Sequence, residues 1–391
     1  MILFSIFLQI SLLFATPDSL PNTDLQDLSN SHVAVLFSQA NDKIKDKEVI
    51  NLLEETCQSL NGQVLVARGE DIIFSRSVGF KKLYKNIPNL KQRNAALYAK
   101  SNQINDSTMI ELASVSKQFT AAAVLKLASQ KRLDTNDLVV KYFPKFPYPT
   151  ITIRHLLMHT SGLPDYIDFK DHEFRNRANF SNMELLNHFA STRPKLLFKP
   201  STQFKYCNSN YAILAAIVEK VTNQSFSIYV KDNILTPAKM THSCFVNRLN
   251  SCKPINYAFG HLASQSEVPP HFTNNALGDK GLYSTAYDLY NWAKVYLIND
   301  SILPKGWLAL AVTPHVKCKA NDDTQYYGFG YRLEDSRDFG FQVYHGGLWR
   351  GFNNIFLYRP EDQIVIIFLS NFRNRAHAGK ANQIFSILDG V

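Results

Sequence analysis

Cysteine is scarce: five occur in 391 residues, and no two stand as Cys-x-x-Cys. That excludes a disulfide-dense scaffold and the common zinc-ribbon patterns. Histidine offers one metal-like spacing, His155 and His159, but Leu156 follows His155 where a metalloprotease helix would carry Glu. No third ligand is evident either, so the spacing alone does not make a metal site. Glycine and proline, at 16 each, are too few for a collagen-like or low-complexity chain. Charged residues are 19% against 45% hydrophobic, so the chain can bury a core and global disorder is excluded. No Gly-x-Ser-x-Gly elbow is present, which argues against an α/β-hydrolase.

Long hydrophobic runs are missing too. A membrane span needs about 20 apolar residues. The longest candidate, MILFSIFLQISLLFA at residues 1–15, is interrupted by Ser5, Gln9 and Ser11. It reads as a secretory signal ending near Ala15, with an uncleaved N-terminal anchor as the alternative. Export, to a periplasmic or secreted setting, is the expectation. Residues 16–30, rich in Pro, Asn, Asp and Ser, read as a flexible segment, and residues 31–391 as one folded unit.

Acidic residues are absent between Asp71 and Asp106. Arg76, Lys81, Lys82, Lys85, Lys91, Arg93 and Lys100 fall there, so +7 of the net +9 belongs to that interval and 9 − 7 leaves +2 elsewhere. Such locality, with no recognition motif behind it, argues against a specific nucleic-acid partner. A solvated insertion over 81–107 is the plain reading. The sharper expectation is contact of residues 76–100 with an anionic envelope surface.

Periodicity predicts a helix within 31–60 ending at Asn61-Gly62, then a hairpin of Gln63–Ala67 and Ile72–Ser75. Helices follow at Ser114–Gln130, from Thr152 through Met158, after the Ser181/Glu184 capping box, at Asn210–Val221 and at Ala286–Ile298. Strands are expected at Tyr327–Leu333, Phe341–His345, Phe352–Tyr358 and Gln363–Ser370, with a last helix at Arg375–Leu388. Strands at both ends with helices between them predict an α/β (α+β) chain. Its sheet lobe would be 31–113 with 285–391, and a helical lobe, 114–284, would be inserted at its middle. Cys244 and Cys252 are near enough to bridge, while Cys57 and Cys318 read as free buried thiols.

Three short motifs carry chemistry. Ser114-Val115-Ser116-Lys117 opens an apolar helix and is the one Ser-x-x-Lys in the chain. One turn places the Lys117 amine beside the Ser114 hydroxyl. A serine needs a neighbouring base to become a nucleophile, and a desolvated lysine can serve. Tyr206-Cys207-Asn208 precedes another helix: a tyrosine near a lysine can relay a proton, and Asn208 can orient an amide. His345-Gly346-Gly347 closes a predicted strand, where two glycines admit a ligand backbone and the Leu348 N–H can enter the same cleft. Taken singly, each has a bland reading as cap, packing group or turn.

In this order the three motifs resemble the serine β-lactamase and penicillin-binding-protein superfamily, class C branch. ELASVSKQFTAAAVLKL, IRHLLMHTSGLPDY, GLYSTAYDLYNWAKVYL and HGGLWRGFNN support the likeness from about Leu60 onward. The resemblance implies a β-lactamase/transpeptidase-like fold, an antiparallel sheet flanked by helices. It implies Ser114 as acylated nucleophile, Lys117 as its activator and Tyr206 as general base or proton relay. Asn208, His345, Gly346 and Gly347 would bind substrate, the backbone N–H groups of Ser114 and Leu348 would form the oxyanion hole, and no cofactor is implied. The chain departs from the Lys-Thr-Gly usual in β-lactamases, since a neutral histidine and a glycine weaken a fixed anion contact. Cys207 replaces a small residue and reads as filler rather than a second nucleophile, and Ser201 replaces a common glycine, which would be strained at positive φ. An exported serine acyl hydrolase acting on a small-molecule or peptide substrate is therefore expected, of esterase, D-aminoacyl amidase or D,D-peptidase type. β-Lactamase activity, or a non-catalytic homologue that binds cell-wall peptide, is the alternative.

Overall fold

The computed structural model describes residues 43–84, 89–174, 180–246, 255–373 and 379–390. The expected signal at 1–15, the flexible segment at 16–30, Lys85 and Cys252 lie outside the described residues. Eleven strands are found among them: β1 (Gly62–Arg68), β2 (Asp71–Val78), β3 (Ile110–Glu111), β4 (Cys244–Phe245), β5 (Leu282–Ser284), β6 (Val316–Lys317), β7 (Gln325–Tyr327), β8 (Arg332–Ser336), β9 (Gly340–Trp349), β10 (Phe352–Arg359) and β11 (Ile364–Ser370). The longer helices are α1 (Lys43–Cys57), α2 (Leu90–Tyr98), α3 (Lys117–Ser129), α4 (Asn182–Thr192), α5 (Asn208–Thr222), α6 (Ala286–Trp292) and α7 (Lys380–Asp389).

The two ends of the chain meet in one antiparallel sheet, ordered β2-β1-β11-β10-β9-β8-β7-β6. Leu65 lies opposite Ile367 where the N-terminal hairpin joins the last strand. That junction is sealed on both faces by the period of two in its side chains. Val64, Val66, Ile366 and Phe368 pack against Val49 and Leu53 of α1 and Ile384 and Phe385 of α7. Leu65, Ala67, Ile367 and Leu369 face the other way, into the large core shared with α3, α5 and α6. A second sheet, β3-β5-β4, pairs Ile110 with Ser284 and so sets the chain entering the Ser114 turn beside the segment leaving Asp279.

Several expected elements change shape. Tyr327–Leu333 is not one strand but the end of β7 and the start of β8, joined by a turn in which the Gly328 N–H donates to Tyr331 O at 2.9 Å. Gly330 there has φ 84° and lies against α3, since a Cβ would stand 2.9 Å from Lys117 O. Alternating aromatic residues hid the reversal, because the turn is buried against a helix instead of facing water. Gly346 and Gly347 do not end a strand: β9 runs through them to Trp349. The 81–107 stretch contains α2, capped by Asn89 and without one buried residue, so it has no apolar stripe for periodicity to detect. The charge of the basic interval between Asp71 and Asp106 is partly met, by Arg76 of β2 with Glu54 at 2.8 Å and Lys82 with Glu267 at 2.7 Å. Cys244 is disulfide-bonded, and Cys57 and Cys318 are free but only half-buried.

Candidate active site

The chain enters the site through strained backbone. Ala113, buried just after β3, holds φ 50°, a left-handed conformation that costs a residue with a Cβ about 1–2 kcal/mol. It turns the chain into a short 3₁₀ turn, Ala113–Ser116, which α3 continues from Lys117. Ser114 is thus presented at the end of a rigid element and Lys117 lies one turn beneath it.

Lys117 is fully buried, and its ammonium donates to Ser114 Oγ at 3.0 Å, Asn208 Oδ1 at 2.8 Å and the Asp279 carbonyl at 2.9 Å. Three acceptors satisfy its three N–H groups. Burial lowers its pKa to about 8, against the pull of the Asp279 and Asp165 carboxylates. Asn208 is locked by Asp165, whose Oδ2 accepts from both the Asn208 backbone N–H and Nδ2 at 2.8 Å each. That bond fixes which end of the amide faces Lys117. The Tyr206 ring lies 4.8 Å from Lys117 Nζ, and its buried hydroxyl makes no hydrogen bond among the described residues. Burial raises the Tyr206 pKa above the usual phenol value, opposed by the Ser114 hydroxyl and Arg332, so the group is a protonated phenol at neutral pH.

Ser114, Tyr206, Asn208 and Asp279 line a cleft of about 340 Å³, together with His345, Gly346, Gly347 and Leu348. Arg332, Lys280, Ile167 and Trp349 line it too, and sequence reasoning missed all four. Arg332 supplies a permanent cation, 5.4 Å from the Tyr206 ring centre. Lys280 is buried with Asp279 at 3.0 Å and also donates to Tyr166 Oη, so its charge is internally paired. His345 is buried with both ring nitrogens engaged, Nε2 by Tyr327 Oη at 3.1 Å and Nδ1 by Gly346 O at 2.7 Å. Burial, with Arg332 and Lys117 nearby, holds its pKa well below the usual value. Its ring is therefore neutral and has no free nitrogen to offer an anion.

Residues 48–388 match the Beta-lactamase family profile. The chain belongs to the Beta-lactamase family. It is 30% identical over 324 residues to penicillin-binding protein 4* of Bacillus subtilis (strain 168), covering 80% of this chain and 68% of that one. To protein flp of Staphylococcus aureus (strain COL) it is 26% identical over 330 residues, covering 80% and 59%. The chain thus spans less than two thirds of that second relative. A penicillin-binding protein from Bacillus halodurans superposes with TM-score 0.69 at 25% identity, over 87% of this chain and 98% of that one. An octameric penicillin-binding protein homologue from Pyrococcus abyssi gives 0.70 at 22% identity, over 90% and 78%.

Against that family frame the third motif is His-Gly-Gly, and its two glycines are not equivalent. A Cβ on Gly347 would stand 2.2 Å from Leu112 O, whereas one on Gly346 would meet nothing nearer than 3.8 Å. Gly347 lets β9 close onto the segment preceding Ser114. Gly346→Ala is expected to fold with a Tm within a few degrees of the parent, and Gly347→Ala to lose about 2–4 kcal/mol, both read by thermal and urea unfolding. The family-atypical Ser201 does hold φ 71°. Cys207 is buried, its thiol pushed up by burial and its Sγ turned to Pro164 O at 3.6 Å. Among the described residues no helix is long and apolar enough to cross a membrane.

Proposed function

We propose that this chain is an exported serine acyl hydrolase that forms an acyl-enzyme on Ser114, cleaving an ester or amide of esterase, D-aminoacyl amidase or D,D-peptidase type. One observation carries the reading: a fully buried lysine of lowered pKa within 3.0 Å of the Ser114 hydroxyl. The neutral Lys117 amine takes the Ser114 proton as Oγ adds to the carbonyl carbon, and the backbone N–H groups of Ser114 and Leu348 receive the oxyanion. Tyr206 then gives its phenolic proton to the leaving atom and regains one from the Lys117 ammonium. Water enters, loses its proton by the reverse of that relay, and releases the acid with Ser114 restored.

Arg332 favours a substrate with an anionic leaving portion, because Tyr206 must face the leaving atom and Arg332 lies over the Tyr206 ring. This cation replaces the one that His345 cannot supply, so a peptide carboxylate fits the cleft better than the third motif alone would imply. Residues 76–100 belong to the same proposal as a contact with an anionic envelope surface, in which Lys91 and Lys100 are exposed. The test is covalent: incubation with a fluorophosphonate, then peptide mass mapping, is expected to place the adduct on Ser114. An unlabelled Ser114 at every pH between 6 and about 9 would sink the proposal.

A further inference from the structure

A buried hydrogen-bonded chain runs behind the cleft. His159 Nε2 lies 3.2 Å from Tyr327 Oη, which lies 3.1 Å from His345 Nε2, and His345 Nδ1 lies 2.7 Å from Gly346 O. All three side chains are essentially inaccessible to water. Bond direction follows from the one partner that cannot vary. The Cys207 backbone N–H donates to His159 Nδ1 at 3.1 Å, so that nitrogen is an acceptor and the proton of a neutral ring sits on Nε2. Asn210 Nδ2 reaches the same nitrogen at 3.1 Å, and the Asn210 Oδ1 is taken by the Ser161 hydroxyl at 2.6 Å, which confirms the amide's orientation. His159 Nε2–H therefore donates to Tyr327, Tyr327 O–H donates to His345 Nε2, and His345 Nδ1–H donates to the Gly346 carbonyl. Tyr211 Oη stands near the Tyr327 hydroxyl while donating to Leu157 O at 2.9 Å, but the direction of the Tyr327–His345 bond is fixed from the other end: the Gly346 carbonyl can only accept, so neutral His345 carries its proton on Nδ1 and its Nε2 can only receive one. Every polar atom in the chain is satisfied with both rings neutral, and burial beside Lys117 and Arg332 favours that state.

The three rings box the Tyr206 ring. Ring centres lie 4.4 Å away for His159, 5.9 Å for His345 and 6.3 Å for Tyr327. His159 also grips the backbone next to Tyr206, through Cys207 N–H and through its own carbonyl, which accepts from Lys205 N at 3.0 Å. It does so from a left-handed φ of 58°, a strained state that the surrounding bonds must hold. Tyr327 comes from β7 and His345 from β9, whereas His159 and Tyr206 lie in the helical middle of the chain. One hydroxyl thus ties the sheet to the segment bearing Tyr206.

We infer that Tyr327 is a positioning residue, whose hydroxyl joins His159 to His345 and so holds Tyr206 at the angle needed to protonate the leaving group. The inference rests on the acyl-hydrolase reading above. A nitrophenolate leaves without a proton, while an alkoxide needs one, so loss of this hydroxyl should act selectively on the poorer leaving group.

The experiment compares wild type and Tyr327→Phe on nitrophenyl and ethyl esters of one short acid, with fluorophosphonate labelling to count folded sites. Expected is a fall in kcat of about 10- to 100-fold for the ethyl ester and about threefold or less for the nitrophenyl ester, with KM little changed. An equal fall on both esters would make Tyr327 merely structural and overturn the inference. A wild type that neither labels nor turns over would instead overturn the hydrolase reading. Should the variant not fold, ¹⁵N NMR of wild-type histidines decides: Nε2–H on His159 with Nδ1–H on His345 supports the chain, and the opposite tautomer on either overturns it.

Discussion

Replacing Ser114 by alanine abolishes ester and amide turnover, with kcat/KM expected to fall at least about 10³-fold, while the fold survives. The argument is that no other group can take over. Cys207 is the only nucleophilic side chain of comparable placement in the motif, and its thiol is buried and turned away toward Pro164. Ser116, two residues on, is buried, and its Oγ accepts from the Leu282 N–H at 3.3 Å. The fold should hold because Lys117 loses only one of three acceptors, keeping Asn208 at 2.8 Å and the Asp279 carbonyl at 2.9 Å. A shift of at most a few degrees in Tm is therefore expected. Turnover assays and thermal unfolding on the same preparation check both halves. Near-parental turnover by the alanine variant would remove Ser114 from the mechanism.

Legibility divided along sequence distance. Ser114 and Lys117 were readable because the chemistry and the helical turn that unites them are both local. The meeting of the hairpin with the last strand was readable from strands at both ends flanking helices. The Asp279 carbonyl, 162 positions from Lys117, left no local mark, because any residue could supply a carbonyl there and only the β3-β5 pairing brings it in. Asp165 stood in the quoted LPDY stretch without an assigned role; a carboxylate shortly after the His159 turn was the available signal. Arg332 was hidden in what read as one strand, and the split of that strand is what sets Arg332 directly opposite Tyr327 across β7 and β8. His345 was read as a contact for substrate, but the hydrogen bonds that occupy both its nitrogens come from Tyr327 and its own neighbour Gly346. The close approach that two glycines promised is real for Gly347, but it is to Leu112 of the same chain.

The pH dependence of acylation follows from Lys117. With its pKa near 8, about one tenth of the molecules hold a neutral amine at pH 7. If that amine is the base, kcat/KM rises about tenfold per pH unit below 8 and levels above it. Tyr206 imposes no alkaline fall in the ordinary range, since burial lifts its pKa above the usual phenol value. The groups acting on Lys117 give the sign of each perturbation. Asp279 and Asp165 raise its pKa, while Arg332 and burial lower it. Asp165→Asn removes a carboxylate that favours the ammonium, so the acid limb should move to lower pH, even as kcat at the plateau falls through the loosened Asn208 amide. Were Lys117 instead needed as an acid in the rate-limiting step, activity would decline with rising pH through 8 and the same substitution would move that decline to lower pH. Lys117→Met, which keeps much of the side chain's bulk without a base, is expected to cost about 10³-fold in kcat/KM and to abolish the inflection near 8. Stopped-flow acylation by a nitrophenyl ester, followed from pH 5.5 to about 9.5 for the three proteins, measures limb, plateau and inflection together. A flat wild-type profile across that range would exclude Lys117 as the proton acceptor and leave its three hydrogen bonds as a structural anchor for Ser114, Asn208 and Asp279.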